Sequence, residues 1–120
     1  MLTVSDGVAA GTREDRSGAA LVERLSEAGF DIVERRVTPD GADEVAAALR
    51  ELTTAFTGLV VTTGGTGFAP RDQTPEGTRA VLEREAPGLA EAMRLVNPLG
   101  RLSRATAGTD GMFLLQLRRR

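Results

Sequence analysis

The chain alternates between short apolar runs of strand length and longer segments in which apolar residues recur every three or four positions. Met1 to Val4 is a short apolar run that reads as the end of a first strand. Asp6 to Arg16 is polar and contains glycine, as loops do, and either Asp15 or Ser17 caps a helix whose Leu21, Val22 and Leu25 share one face. Gly29 ends that helix. Phe30 to Val37 carries β-branched residues and predicts a second strand, followed by a turn at Thr38-Pro39-Asp40-Gly41. Helical spacing returns from Ala42 to Thr54 in Val45, Ala46, Leu49 and Leu52. Gly58 to Thr63 is then apolar enough to be covered on both faces, which is the pattern of a central parallel strand.

Gly64 to Gln73 is a glycine-rich connection, and Thr74-Pro75-Glu76 combines a hydroxyl cap, a proline at the first helical position and an early acid. A further helix starts at Pro87, sets Leu89, Ala92, Met93 and Val96 on one face, and stops before Asn97-Pro98-Leu99-Gly100. Met112 to Leu117 predicts a final strand. The order βαβαβαα and then β predicts an α/β fold, with a parallel sheet between helices and right-handed crossovers. Ligands of such sheets bind at the loops leaving the carboxyl ends of the strands. Asp6 follows the first strand, Asp40 the second, and Gly64 to Asp72 the third.

Composition narrows the chemistry. The 120 residues, 41% of them hydrophobic, are the size of one domain. Cys, His, Trp, Tyr and Lys are absent, so all 15 basic residues are arginine. Thiol and imidazole nucleophiles, zinc sites, disulfides, Schiff bases and the lysine of a Walker A loop are thereby excluded. The remaining carboxylates, guanidinium groups, hydroxyls and backbone amides suit phosphate binding and magnesium ligation. A net charge of −2 and only four Phe argue against a nucleic-acid surface. No apolar run is long enough to span a bilayer and no secretory signal opens the chain, so the expected setting is cytoplasmic, away from membranes.

The sharpest motif is Thr62-Thr63-Gly64-Gly65-Thr66-Gly67, with three glycines in four positions directly after the central strand. Glycine permits positive φ and close backbone approach, so successive amides can form a nest for an anion, with the threonine hydroxyls as further donors. The alternative is a tight strand-to-helix turn. The motif matches neither the dinucleotide fingerprint nor the Walker A pattern. Asp72 is either a helix-flanking acid or an oxygen ligand to magnesium beside a phosphate, and Arg71 either clamps a phosphate or pairs with Glu76. Ser5-Asp6 and Asp15-Arg16-Ser17-Gly18 bracket the first loop as turns, caps or ligand contacts, and Ser103-Arg104 offers a hydroxyl and a guanidinium to an anion. The Arg118-Arg119-Arg120 tail reads as a solvated end.

Six segments stand in a distinctive order: LTVSD at Leu2 to Asp6, DRSG at Asp15 to Gly18, TTGGTG at Thr62 to Gly67, RDQTPE at Arg71 to Glu76, PGLAEAMR at Pro87 to Arg94, and LSR at Leu102 to Arg104. In them the chain resembles the molybdenum-cofactor biosynthesis family, specifically its single-domain molybdopterin adenylyltransferases and their close relatives, from about Leu2 to Gly108. The resemblance implies a three-layer α/β/α sandwich with a mostly parallel sheet, assembled as a homotrimer. It implies magnesium-dependent transfer of AMP from ATP to the terminal phosphate of molybdopterin, releasing pyrophosphate. Asp40 and Asp72 match the family's catalytic and metal-binding acids. Thr63, Gly64, Gly65, Thr66 and Gly67 would cradle phosphate, and Ser5, Asp6, Arg71, Ser103 and Arg104 would complete the substrate pocket. Family members begin several residues before the LTVSD strand and continue past the last strand through an N-L-P-G-S-P-like loop into another helix. The expectation is therefore that residues 1–120 are one molybdopterin-binding domain, truncated at both ends and lacking that loop and helix. A relative that binds molybdopterin without adenylylating it is the alternative, and a domain detached from a larger molybdenum-insertion or nucleotide-salvage protein is a third reading.

Overall fold

The central strand of the fold is β3 (Leu59–Thr63), whose Val60, Val61, Thr62 and Thr63 are all buried, as a strand covered on both faces requires. A computed structural model describes residues 1–96 and 104–109 together with the backbone of 113–117. Before β3 come β1 (Leu2–Val4), α1 (Asp6–Ala9), α2 (Arg16–Glu27), β2 (Arg36–Thr38) and α3 (Ala42–Thr53). After it come α4 (Thr74–Arg79), β4 (Arg84–Glu85), α5 (Pro87–Val96), β5 (Ala107–Thr109) and β6 (Phe113–Leu117). The sheet order is β2-β1-β3-β6-β5-β4. Its first four strands are parallel, with β1 at Leu2 facing Arg36 on one side and Thr62 on the other.

Side-chain alternation along β1 separates the two helical layers. Leu2 and Val4 point to one face and pack with Val60 against Val45, Ala48 and Leu49 of α3. Thr3 points to the other face, where its hydroxyl donates to Asp15, the N-cap of α2, at 2.9 Å. The α/β/α layering follows from this single strand. Leu2, Val45 and Leu49 are 0% exposed, and each such side chain contributes about 1.5–3 kcal/mol of hydrophobic stabilisation. Gly77 lets α4 lie flat on α3, since a Cβ there would fall 2.6 Å from the Ala42 carbonyl oxygen.

Several local expectations change. The predicted strand from Phe30 to Val37 shrinks to Arg36–Thr38, because β1 offers only three residues to pair with. Phe30 and Val33 stay exposed as a result. The polar segment after β1 opens as a helical turn, α1, because the Ser5 hydroxyl accepts from the Val8 amide and supplies a cap. The choice between Asp15 and Ser17 falls to Asp15, which accepts from the Gly18 amide at 2.9 Å. At α4 the cap residue is Gln73 rather than Thr74. β4 and β5 add an antiparallel edge that the apolar pattern did not reveal. On α5 the buried residue is Ala90, while Leu89 and Val96 of the expected inner face are exposed. The predicted helix stop at Asn97 to Gly100 lies outside the described residues, as do Ser103 and the arginine tail.

Candidate functional site

The loops leaving β1 and β2 are joined by two acids. The Asp6 amide donates to the Asp40 carboxylate at 2.9 Å, and the Asp40 amide donates to the Asp6 carboxylate at 3.1 Å. Arg71, from the loop after β3, closes the unit. Its Nε and Nη2 donate to the two carboxylate oxygens of Asp6 at 2.7 and 2.9 Å, and Nη2 also donates to the Asp40 carbonyl at 2.8 Å. Three strand-end loops are thereby tied at one point. The Arg71 hydrogen bonds hold Asp6 below its ordinary pKa, whereas partial burial pushes the Asp40 carboxyl up, with the Asp6 and Asp72 charges adding to the rise.

The glycine loop lies against the same junction. Gly64 has φ +95° and passes so close to β1 that a Cβ would sit 2.0 Å from the Val4 carbonyl oxygen. Gly65, at φ +66°, leaves room for the Thr74 hydroxyl, which donates to the Gly64 carbonyl at 2.8 Å. This bond is why Thr74 does not cap α4. A Cβ on Gly67 would fall 2.6 Å from the Asp72 carboxylate, which accepts from the Ala69 amide at 3.2 Å.

Arg104 supports this loop from within the protein. Its amide donates to the Thr66 carbonyl at 3.0 Å and its Nε to the Gly67 carbonyl at 3.0 Å. Its remaining guanidinium nitrogens donate to the Asp72 carbonyl and pair with Glu76. Glu76 is therefore the partner of Arg104, not of Arg71. Burial alone would push the Glu76 carboxyl up, but Arg104 and Arg79 together hold it below its ordinary value.

A cavity of about 530 Å³ opens beside these elements. Of the residues singled out from sequence, it brings together Ser5, Asp40, Thr63, Gly64, Gly65 and Asp72. Asp6 and Arg71 lie beside it as the pair that fixes Asp40. Thr66 and Gly67 are tied to Arg104 in the wall. Sequence reasoning missed Thr3, Val8 and Arg13, which also line the cavity, because Arg13 belongs to no motif and its place depends on how the loop before α2 folds back. Asp15, Arg16 and Ser17 form the far rim.

Magnesium takes hard oxygen ligands and is commonly held by one or two carboxylates together with substrate phosphates. Among the described residues no group of three or more acidic side chains forms a complete cation cage. Four carboxylates line the cavity, and since Glu14 pairs with Arg16 and Asp15 with Arg35, Asp40 and Asp72 are the two whose carboxylates have no arginine partner among the described residues. Burial is the main cause of the raised Asp40 pKa, and the nearby Asp72 charge adds to it. A carboxylate pair of this kind fits a cation that arrives with phosphate.

Residues 1–113 match the family model described as "Probable molybdopterin binding domain". The chain is 39% identical over 122 aligned positions to a protein of Helicobacter pylori J99 named molybdopterin adenylyltransferase, covering 96% of the chain and 69% of that protein. It is 40% identical to a protein of the same name from Pyrococcus furiosus, covering 90% of the chain and 66% of the relative. The crystal structure of the molybdopterin biosynthesis enzyme MoaB from Thermus thermophilus superposes with a TM-score of 0.88 at 42% identity, over 98% of this chain and 77% of that one.

Proposed function

Because the chain belongs to the molybdopterin-binding domain family of molybdenum-cofactor biosynthesis, we propose that it transfers AMP from ATP to molybdopterin, releasing pyrophosphate. The observation that carries this reading is the meeting of the glycine loop, Asp40 and Asp72 on one cavity built from the carboxyl ends of parallel strands.

In the reaction a phosphate oxygen of molybdopterin attacks the α-phosphorus of ATP. One P–O bond forms, the bridging P–O bond to the β-phosphate breaks, and its electron pair leaves with pyrophosphate. The nucleophile is supplied by the substrate, so positioning and charge neutralisation are the tasks left to the protein. That division of labour suits a chain with no histidine, cysteine or lysine. Gly64 and Gly65, with Thr63 beside them, let phosphate approach the backbone closely, while Thr66 and Gly67 hold the shape of the loop. Ser5 lines the substrate pocket in this reading, whereas Arg104, expected from the sequence to meet an anion, is spent on the Gly67 and Asp72 carbonyls and on Glu76 and holds the loop from behind. Asp40 and Asp72 would hold magnesium, which when bound neutralises phosphate charge and polarises the phosphoryl group. Arg71 and Asp6 keep Asp40 in place.

The family resemblance also carries a homotrimer and a cytoplasmic setting into this proposal. Exposed Leu89, Leu95 and Val96 on α5 suit a contact between subunits, and no helix among the described residues is long and apolar enough to cross a membrane.

Incubation of the chain with molybdopterin, ATP and magnesium, followed by mass detection of adenylylated molybdopterin, tests the activity. Product formation is the expected outcome. Tight molybdopterin binding without product would replace the reading by that of a binding or scaffold protein.

A further inference from the structure

We propose that Arg13 is the cation that receives a substrate phosphate in the cavity, and that the glycine at position 7 exists to aim it. The inference rests on the phosphoryl-transfer reading above.

The charges around the cavity are largely committed to one another. Asp15 accepts from the Thr3 hydroxyl, the Gly18 amide and Arg35. Arg16 pairs with Glu14 at 3.3 Å. Arg13 lines the same cavity with no ion pair or side-chain hydrogen bond among the described residues. Its backbone is held nonetheless: the Arg13 amide donates to the Gly7 carbonyl at 3.2 Å, and the Thr12 amide and hydroxyl donate to that oxygen at 2.9 and 3.1 Å. A fixed backbone thus carries a guanidinium with its donors still available among the described residues, in a cavity lined by the carboxylates of Glu14, Asp15, Asp40 and Asp72, which repel phosphate unless cations offset them.

Gly7 supplies the second observation. It lies inside α1, where alanine would favour the helix by about 1 kcal/mol, and it is not among the glycines with positive φ. Backbone conformation therefore gives no reason for glycine. Packing does, because a Cβ at position 7 would fall 2.6 Å from Cδ and 2.9 Å from Cγ of Arg13. The aliphatic stem of Arg13 lies across the bare α-carbon of Gly7, and that contact fixes its course into the cavity. A guanidinium offers a planar fork of donors suited to phosphate oxygens. The ligand class is a phosphate monoester or polyphosphate, which either ATP or molybdopterin presents.

Calorimetric titration of the full chain with inorganic tripolyphosphate in magnesium buffer tests the inference. Arg13→Ala is expected to raise the Kd by about tenfold or more, the size of a lost charge-assisted hydrogen bond, and Arg13→Lys to recover part of the loss. Gly7→Ala is expected to weaken binding in the same direction while leaving the melting temperature unchanged or higher. Wild-type affinity in Arg13→Ala overturns the proposal whatever Gly7→Ala does, and so does a wild-type chain that binds no tripolyphosphate. In the transfer assay, a rise in KM for ATP alone assigns Arg13 to the nucleotide, and a rise for molybdopterin alone assigns it to the acceptor phosphate. Unchanged KM for both substrates in an active chain removes the inference and leaves the function standing. Arg13-dependent tripolyphosphate binding without adenylyl transfer does the reverse.

Discussion

Asp6 and Asp40, 34 residues apart, clasp each other through crossed hydrogen bonds in which each backbone amide donates to the other's carboxylate. Two like charges are thereby held side by side, an arrangement that only Arg71 balances directly among the described residues.

The first expectation concerns that balance. Arg71 and Asp6 are both exposed, so their ion pair adds little to global stability. Its importance lies in fixing Asp40. Arg71→Gln should retain the wild-type melting curve yet lower kcat by about ten- to a hundredfold, as displacement of a catalytic group does. Arg71→Lys should recover little, because an ammonium cannot reproduce the bidentate contact and the bond to the Asp40 carbonyl together. A melting temperature that falls in step with activity would point to a purely structural role.

The pH dependence follows from Asp40. Its pKa is raised in the folded chain, so the folded state holds the proton more readily than the unfolded state, and stability declines as pH rises from the ordinary carboxylate value through the raised one. Asp6 acts in the opposite sense: its stabilising contribution is present above the ordinary value and is lost as pH falls through the depressed one. In the metal-free chain the Asp40 carboxyl should titrate above its ordinary value, and in Arg71→Gln, which removes a charge that lowers the Asp40 value, it should titrate higher still; carboxyl NMR shifts followed against pH check both.

Asp72→Asn keeps an oxygen able to accept from the Ala69 amide, so the loop should fold normally. Adenylyl transfer should drop by about a hundredfold or more, the scale on which single electrostatic contacts to a transition state act. Product mass and far-ultraviolet circular dichroism, taken on one preparation, check both halves. Wild-type turnover in Asp72→Asn would falsify its assignment to the metal.

Two glycines offer a contrast in stability. Gly65 has φ +66°, and a Cβ there meets the Thr74 hydroxyl at 2.0 Å, so Gly65→Ala should cost about 2–4 kcal/mol. Gly88, in the first turn of α5, has open space where a Cβ would stand. Gly88→Ala should lie within about 0.5 kcal/mol of wild type or be more stable. Urea denaturation of both variants measures the difference.

Arg104→Ala should also destabilise, because the Gly67 and Asp72 carbonyls lose their donor, at about 1–3 kcal/mol for each group left unsatisfied. The main-chain bond from position 104 to the Thr66 carbonyl survives the substitution, so urea denaturation of Arg104→Ala reads the loss of the side-chain bonds alone.

Much of this arrangement is legible in the residues. Val60 and Val61 announce a buried strand, Val45 and Leu49 a helix face, and TTGGTG a backbone that must come close to something. Local periodicity records burial and backbone strain, and these elements owe their form to both. What it does not record is partnership at a distance. Arg71 meets Asp6 across 65 residues, and Arg104 meets Gly67 across 37, so neither pair leaves a spacing to read. The two-residue β4 carries no periodicity at all, and Phe30 to Arg35 reads as strand because intrinsic preference says nothing of whether a neighbouring strand is long enough to pair.

Both borders of the sheet are short and charged. β4 ends one side with exposed Arg84 and Glu85, and β2 ends the other with Arg36 engaged by Glu34 and Glu51. A border of this kind gives an incoming strand few free amides and a cluster of ions to desolvate, so the sheet resists growth by strand addition. Copies of the chain are thereby steered to meet through helices and loops, which leaves the open backbone at the strand ends to ligands rather than to one another.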